Sequence, residues 1–266
     1  MLPIEKLREH RFMLFSLVST GLAILVSELI GKETATVFTD WLFEPIACAI
    51  VVLAIISAKK HGIKGNHGKA WISFAIFSVL WFIAETVWTV LELFYHQKPF
   101  PSLADAFYMA AYPAYFIFVI LYLKPFKNGI TKKMTTAAIL FGVAVLVPNL
   151  YMAFDNNTGE DHLSIVLGAL YPVADVIVLV PAIIGMMLFF GGKVNFMWSL
   201  MFLGIISEVI ADTGFQYFSL DNSIYTGHPI DILFLWSYIL FSFGVYDHIK
   251  VFKTEQKSYS KKEDLR

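Results

Sequence analysis

Long apolar runs alternate with short polar segments along the whole chain. Eight runs can be drawn, near residues 12–31, 37–58, 71–95, 103–123, 135–154, 163–190, 194–218 and 229–250. An α-helix that rises about 1.5 Å per residue needs about 20 apolar residues to cross the hydrocarbon of a bilayer. The pattern therefore predicts an all-α fold, a polytopic bundle of about eight transmembrane helices.

The polar segments between the runs have the chemistry of turns. Lys59–Lys69 is rich in glycine and lysine, and Lys98–Ser102 contains prolines followed by a serine that suits a helix N-cap. Asp155–His162 and Leu220–Pro229 are rich in Asp, Asn, Gly and Thr. Backbone groups in lipid need internal partners, so helices this apolar are expected to pack as one bundle.

The composition supports a membrane location. Apolar residues make up 58% of the 266 and charged residues 15%, with a mean hydropathy of +0.67. A soluble domain has about 45–50% apolar and about 25% charged residues. The first apolar run, Phe12–Ile30, is too long for a signal peptide and lacks a cleavage site, so we expect an uncleaved first helix. The single cysteine, Cys48, excludes an intramolecular disulfide.

The basic residues predict the orientation. On the eight-helix reading, 18 of the 20 Lys and Arg fall on one side of the membrane, and only Lys32 and Lys98 fall on the other. The positive-inside rule places the basic side in the cytoplasm. We therefore expect a multi-pass protein of the cell membrane with both termini cytoplasmic, residues 1–251 forming the bundle and 252–266 a short charged tail.

Acidic residues are concentrated in the opposite half of the predicted spans. Those within the spans or at their edges in this half are Glu28, Asp40, Glu44, Glu85, Glu92, Asp105, Asp175, Glu208, Asp212 and Asp231. Charged side chains in a bilayer cost at least about 2.5–3.5 kcal/mol each and usually face the bundle interior. Because no Lys or Arg lies at the same depth, these carboxyl groups need protons, cations or hydrogen-bond donors.

Spacing along the chain places some of these acids on shared helix faces, and their depth in the spans divides them into two groups. Glu85, Trp88 and Glu92 share one helix face, and Glu208 and Asp212 share another. Two interpretations stay open for the acids nearest the helix ends, which are Glu28, Asp40, Glu44, Asp105 and Asp231: neutral hydrogen-bonding groups between helices, or parts of a site. For Glu85, Asp175, Glu208 and Asp212 the functional interpretation is favoured. On this interpretation the residues line an outward-opening cavity that binds a cation, a proton or a cationic small molecule. Trp88 and Tyr112 are candidate hydrogen-bond donors to the carboxyl groups. The complete set of candidate binding residues is Glu85, Trp88, Glu92, Asp105, Tyr112, Asp175, Glu208, Asp212 and Asp231.

A weak internal repeat relates the two halves. The third and fourth helices pair an acid in one helix with Asp105 near the start of the next, and the seventh and eighth do the same with Asp231. Asp175 in the sixth helix has a downstream proline, as Asp105 does. The hairpins run in the same sense, which predicts a parallel repeat.

Several kinds of chemistry are disfavoured. A retinal Schiff base needs a lysine inside the bundle, and a bundle haem needs opposed histidines within helices. The histidines instead fall in predicted loops, tails or helix ends. His96, His162 and His228 lie near the acids, but no zinc-type spacing supports a hydrolase there. Nucleotide-binding, nucleic-acid and hydrolase motifs are missing, so we expect no enzyme and no cofactor, and the spacing assigns no metal.

Four segments carry a family resemblance: AETVWTVLELF, PFPSLADAFYMAAYP, YPVADVIVLVPAI, and ADTGFQYF followed by YTGHPID. Over about residues 70–250 the chain resembles the polytopic membrane sensor regions that precede diguanylate cyclase, phosphodiesterase or histidine-kinase domains in bacterial and archaeal signalling proteins. The resemblance implies a sensor role. Since such an output domain would begin about where this sequence ends, at Arg266, the module is expected to be stand-alone.

The leading functional hypothesis is a non-enzymatic sensor or receptor-like module in the lipid bilayer. It binds its ligand in the outer acidic cavity and signals to a separate cytoplasmic protein. Two alternatives stay open, a small ion or solute transporter and an accessory subunit of a membrane complex. A transporter needs a path through the inner half, where ionisable side chains are scarce, and this asymmetry favours sensing.

Overall fold

The computed structural model describes residues 4–155, 162–192, 194–220 and 222–263, with side-chain surroundings described from His10 to Phe252. Eight α-helices follow one another in this part of the chain. They are α1 Ile4–Ile30, α2 Lys32–His61, α3 Gly65–Thr89, α4 Leu103–Leu123, α5 Lys132–Asp155, α6 His162–Leu188, α7 Asn195–Ser219 and α8 Asp231–Glu263. A π-helical turn, Val90–Phe94, continues α3, and a 3₁₀ segment, Lys124–Gly129, follows α4.

All eight helices are long and apolar enough to cross a membrane, so the predicted all-α, eight-span fold is confirmed. The parallel repeat stays a prediction. Most of the loop predicted at Asp155–His162 lies outside the described residues, and its two end residues belong to α5 and α6.

The ends of the helices differ from the sequence prediction. The first helix begins at Ile4 rather than near residue 12, and α8 continues to Glu263 rather than ending near residue 250. Lys, Glu and Gln propagate helices well although they are not apolar, so hydropathy underestimates the helical length. The predicted tail, 252–266, therefore begins as a continuation of α8, and its residues 264–266 lie outside the described part.

Six helices form a closed ring in the order α2, α3, α4, α6, α7, α8, with α8 packing back against α2. The first helix covers the groove between α2 and α8, and α5 packs on α6 with a smaller contact to α7. The first and last helices run antiparallel: Phe12 in the first half of α1 contacts Phe243 of α8, while Glu28 near the end of α1 contacts Tyr225, which precedes α8. We call the end of the bundle that carries the start of α1 and the end of α8 the terminal end, and the opposite end the distal end.

Large apolar side chains cover the outside of the bundle, as lipid exposure requires. Phe15 is 68% exposed, Leu140 64% and Val147 59%. The ring interior instead holds fully buried aromatic residues, including Trp71, Tyr115 and Trp198. The arrangement places an apolar surface towards the acyl chains and leaves the ring interior to position the polar groups described next.

Candidate functional site

Asp175 of α6 and Asp212 of α7 form the centre of the polar interior. Their carboxyl groups interact electrostatically with one another. The hydroxyl of Tyr112 on α4 donates to both, at 2.8 Å from Asp175 Oδ1 and 3.1 Å from Asp212 Oδ2. Three ring helices therefore converge on two carboxyl groups that share one hydroxyl donor. We call Asp175 and Asp212 the carboxyl pair.

Glu208 lies one helical turn before Asp212 on α7 and is 4% exposed. Its Oε2 accepts a hydrogen bond from Ser237 of α8, whereas its Oε1 is buried without a hydrogen-bond partner in the described part of the chain. Glu208 interacts electrostatically with Asp212 and Asp175. A buried oxygen left without a donor costs about 1–3 kcal/mol, so this atom marks a place where a proton, water or cation gains a contact.

A small cavity lies beside these groups. It has a volume of about 10 Å³ and is lined by Asp175, Glu208 and Tyr112 on its polar side and by Phe77, Tyr115 and Phe241 among its apolar neighbours. This volume is about the smallest that holds one water molecule. The interior therefore has room for a proton, a water or a small cation, and the described residues form no wide vestibule around the carboxyl pair.

Glu85 of α3 extends the acidic interior towards α8. Its Oε1 accepts hydrogen bonds from Tyr108 at 2.7 Å and from Tyr238, and the Tyr238 hydroxyl accepts one from the Trp81 indole. Glu85 also interacts electrostatically with Glu208. Tyrosine hydroxyls on two helices thus satisfy this buried acid.

Asp105 lies in the first turn of α4, where one carboxyl oxygen caps the helix and the other contacts α6. Its Oδ2 accepts the backbone N–H of Ser102 at 2.6 Å, while Ser102 Oγ accepts the backbone N–H of Ala104 at 3.1 Å, which forms a capping box. Its Oδ1 accepts a hydrogen bond from the hydroxyl of Tyr171 on α6 at 2.7 Å.

These acids and their tyrosine donors form one connected set. We define the carboxyl network as Glu85, Asp105, Asp175, Glu208 and Asp212 together with Tyr108, Tyr112, Tyr171 and Tyr238.

A second acidic group lies closer to the distal end. Glu92 sits in the π-helical turn, and its Oε2 accepts the indole N–H of Trp88 at 3.1 Å and the hydroxyl of Thr226. Asp231, at the start of α8, accepts the backbone N–H of Gly227 at 2.6 Å, and Asp40 of α2 interacts electrostatically with both acids. We call Asp40, Glu92 and Asp231 the distal cluster. π-Helical turns occur frequently at functional sites.

The two remaining span acids have other partners. Glu44 accepts a hydrogen bond from Thr86 at 3.2 Å, and Glu28 accepts one from Tyr225 at 3.1 Å. Tyr225 lies in the loop before α8, with the Lys32 ammonium 4.4 Å from its ring centroid. Partial burial, together with the Glu28 carboxylate, raises the pKa of the Tyr225 hydroxyl.

The structure therefore distributes the nine residues predicted from the sequence over two groups. Glu85, Asp105, Tyr112, Asp175, Glu208 and Asp212 belong to the carboxyl network, and Trp88, Glu92 and Asp231 lie in or beside the distal cluster. Electrostatic interactions of Glu85 with Asp40 and Asp231 connect the two. The carboxyl network extends from the middle of the bundle, at Asp175 and Glu208, towards the distal end, where the distal cluster lies.

Sequence reasoning missed most of the donors. Tyr108, Tyr171, Tyr238 and Ser237 each donate to a carboxyl group that the sequence had singled out. One usable signal was the spacing of Tyr108 and Tyr112, which places both hydroxyls on the same face of α4. Tyr171 and Tyr238 gave no such signal, since their partners lie on other helices.

No protein-family model, curated protein or solved structure matches this chain. The resemblance to polytopic sensor regions therefore stays a prediction from the segments quoted above.

Proposed function

We propose that this chain is a membrane sensor whose carboxyl network takes up a proton or a small cation, and whose state is transmitted to a separate cytoplasmic partner. The observation that supports the proposal most directly is the carboxyl pair, Asp175 and Asp212, held by the Tyr112 hydroxyl between three helices. In this proposal the two carboxyl groups share one proton. Removing the shared proton leaves two like charges side by side, and these push α6 and α7 apart unless a cation replaces the proton.

The small cavity restricts the class of ligand. A volume of about 10 Å³ excludes an organic ligand of any size, but it suits a proton exchange or a small cation with a water. Glu208 lies on its wall, and the unpartnered Oε1 of this residue can supply an oxygen ligand for either. Hard cations prefer such carboxylate and hydroxyl oxygens.

The distal cluster supplies the proposed entry route. Asp40, Glu92 and Asp231 lie between the carboxyl network and the loop before α8, and they interact electrostatically with Glu85. We propose that this end faces the outside, because the lysines and arginines concentrate at the other end. The sensed ion then arrives from the external solution.

A transporter is the second candidate, since the same carboxyl groups can relay ions. It also requires a polar route to the terminal end of the bundle. From the apolar wall of the cavity towards the terminal end, the ring interior instead contains packed aromatic side chains, which we define as the aromatic plug: Phe74, Phe77, Tyr115, Phe118 and Phe241. Their ring centroids lie 4.9–6.3 Å apart in the contacting pairs. This plug favours sensing over transport.

The proposal is tested by thermal unfolding of the purified protein in detergent, across pH and with added Na⁺ or Ca²⁺. The wild type is expected to lose stability as pH rises, because the shared proton is removed, and to regain part of it when a cation is added. Asp212→Asn and Glu208→Gln keep the side-chain shapes and remove the possible charges, so both profiles should flatten. The matched control is Glu33→Gln, a substitution in the first turn of α2 away from the network.

Identical pH and cation profiles in the wild type, Asp212→Asn and Glu208→Gln would contradict the proposal and leave the acids as neutral contacts between helices. Reconstitution into vesicles separates the two candidate functions. A sensor gives no proton or cation flux above that of empty vesicles, whereas flux that is lost in Asp212→Asn would establish transport instead.

A further inference from the structure

Three histidines meet on the far side of the aromatic plug, near the terminal end. His61 is the last residue of α2, His67 lies in the first turns of α3, and His248 lies late in α8. One ring nitrogen from each lies within 4.8 Å of those from the other two, and the Nε2 atoms of His61 and His248 are 3.2 Å apart. Ring nitrogens of two histidines bound to one tetrahedral zinc are about 3.3 Å apart, given Zn–N distances of about 2.0–2.1 Å.

The chain is built locally to bring these side chains together. The turn between α2 and α3 has Gly62 at φ 68°, a backbone conformation that L-residues with side chains rarely adopt. A Cβ atom on Gly68 would lie 2.2 Å from the carbonyl oxygen of Gly62, so this turn closes only with glycine at that position. Lys60 Nζ then donates to the carbonyl of Ile249 at 2.7 Å, which ties the end of α2 to α8 beside His248.

The histidines are buried, and their polar atoms are incompletely satisfied. His248 is fully buried, and its Nδ1 as well as Nε2 of His67 have no hydrogen-bond partner in the described part of the chain. Burying a ring nitrogen without a partner costs free energy, which a bound ion can recover. Trp71 stacks on His248 with ring centroids 4.6 Å apart, and Phe252 packs against His61 at 4.4 Å, so aromatic rings hold the imidazoles in place.

We propose that His61, His67 and His248 form a binding site for a transition-metal ion of the class that prefers imidazole, such as Zn²⁺. Three neutral imidazoles leave one tetrahedral position open, and among the described residues no Cys, Asp, Glu or further His joins the three. The fourth ligand is then water or a small anion. The site lies beyond the aromatic plug from the carboxyl network, so the proposal stands independently of the proposed function.

Metal binding would join the α2–α3 turn to α8, the helix that continues to Glu263. Lys60 interacts electrostatically with His61 and His248, and its positive charge opposes the binding of a dication. Lys60 therefore has two opposing effects on the site, since its hydrogen bond to Ile249 holds α8 beside the end of α2 while its charge disfavours a bound dication.

The test uses the full chain purified without a polyhistidine tag. Zn²⁺ affinity is measured in detergent by competition with a chromogenic chelator, and Co²⁺ coordination by visible absorption. One ion per chain is expected. His61→Gln and His67→Gln, at half-buried positions, should each weaken binding at least about 100-fold, since loss of even an outer partner of a ligand costs about 10–100-fold. His162→Gln, at an exposed histidine at the start of α6, is the matched control and should not change it.

Absence of stoichiometric binding in the wild type would overturn the proposal. So would equal affinity in the wild type, His61→Gln and His67→Gln, or a Co²⁺ spectrum that these variants leave unchanged. Circular dichroism of each variant, which should show wild-type helical content, separates lost coordination from lost folding.

Discussion

At the scale of single residues, two tyrosines of α4 differ in whether their buried hydroxyl is hydrogen-bonded. Tyr112 donates to Asp175 and Asp212, whereas the buried hydroxyl of Tyr115 has no hydrogen-bond partner in the described part of the chain. Both rings are almost fully buried, at 6% and 0% exposure. Their Phe variants therefore remove the same atom from similar surroundings with opposite consequences for hydrogen bonding.

We predict that Tyr112→Phe destabilises the protein by about 1–3 kcal/mol, because it leaves two buried carboxyl oxygens without a donor. Tyr115→Phe should be neutral or slightly stabilising, since it removes an unsatisfied hydroxyl. Thermal unfolding of both variants in one detergent, at one pH, measures the difference. Equal melting temperatures would show that the Tyr112 hydroxyl does not hold the carboxyl pair.

The sequence predicted the acids of this site better than their partners. Glu85, Asp175, Glu208 and Asp212 stand out because a charge within an apolar span is costly, whichever helix lies opposite. Tyrosine and serine are common in transmembrane helices. The roles of Tyr171, Tyr238 and Ser237 therefore arise only from contacts between the helices of the closed ring. The histidine site was missed for the same reason, since 187 residues separate His61 from His248.

At the scale of helices, hydropathy was sufficient to predict their number and approximate positions, because the bilayer sets the length of a span. It could not predict the ring order, in which α4 contacts α6 and α8 returns to α2. That order depends on side-chain shape. One example is Gly185 of α6, against which the indole of Trp198 on α7 packs directly.

We predict that Gly185→Ala destabilises the bundle by about 1–3 kcal/mol, because its Cβ would lie 2.4 Å from the Trp198 ring and force α6 from α7. Gly168→Ala, in the same helix, is the matched control. Its Cβ would meet nothing closer than Gln216 Nε2 at 3.8 Å, so stability should change by less than about 1 kcal/mol, in the stabilising direction. Thermal unfolding checks both, and equal losses would contradict close packing of α6 on α7.

At the scale of the whole molecule, the carboxyl network and the histidine site lie at different depths of one ring, separated by the aromatic plug. Trp81 and Glu85 lie on the distal side of α3, Phe74 and Phe77 at its middle, and Trp71 beside His248 near its start. On the predicted orientation, the proposed ligand of the network is an external ion and the proposed ligand of the three histidines is a cytoplasmic metal. The same two sites would exchange roles if the bundle were inserted the other way, so orientation decides what each can sense.

Orientation is therefore the last prediction, and two exposed loop positions test it. Gln97 lies at the distal end after α3, and Asn128 at the terminal end after α4. In a Cys48→Ala background, which removes the only native thiol, Gln97→Cys should react with a membrane-impermeant maleimide added to intact cells. Asn128→Cys should react only after the membrane is permeabilised, because the distribution of 18 of the 20 basic residues predicts that its side faces the cytoplasm. The reverse labelling pattern would show that the bundle is inserted the other way, with the histidines towards the outside and the carboxyl network towards the cytoplasm. Labelling of both positions in intact cells would contradict the eight-span topology itself, since one helix separates them.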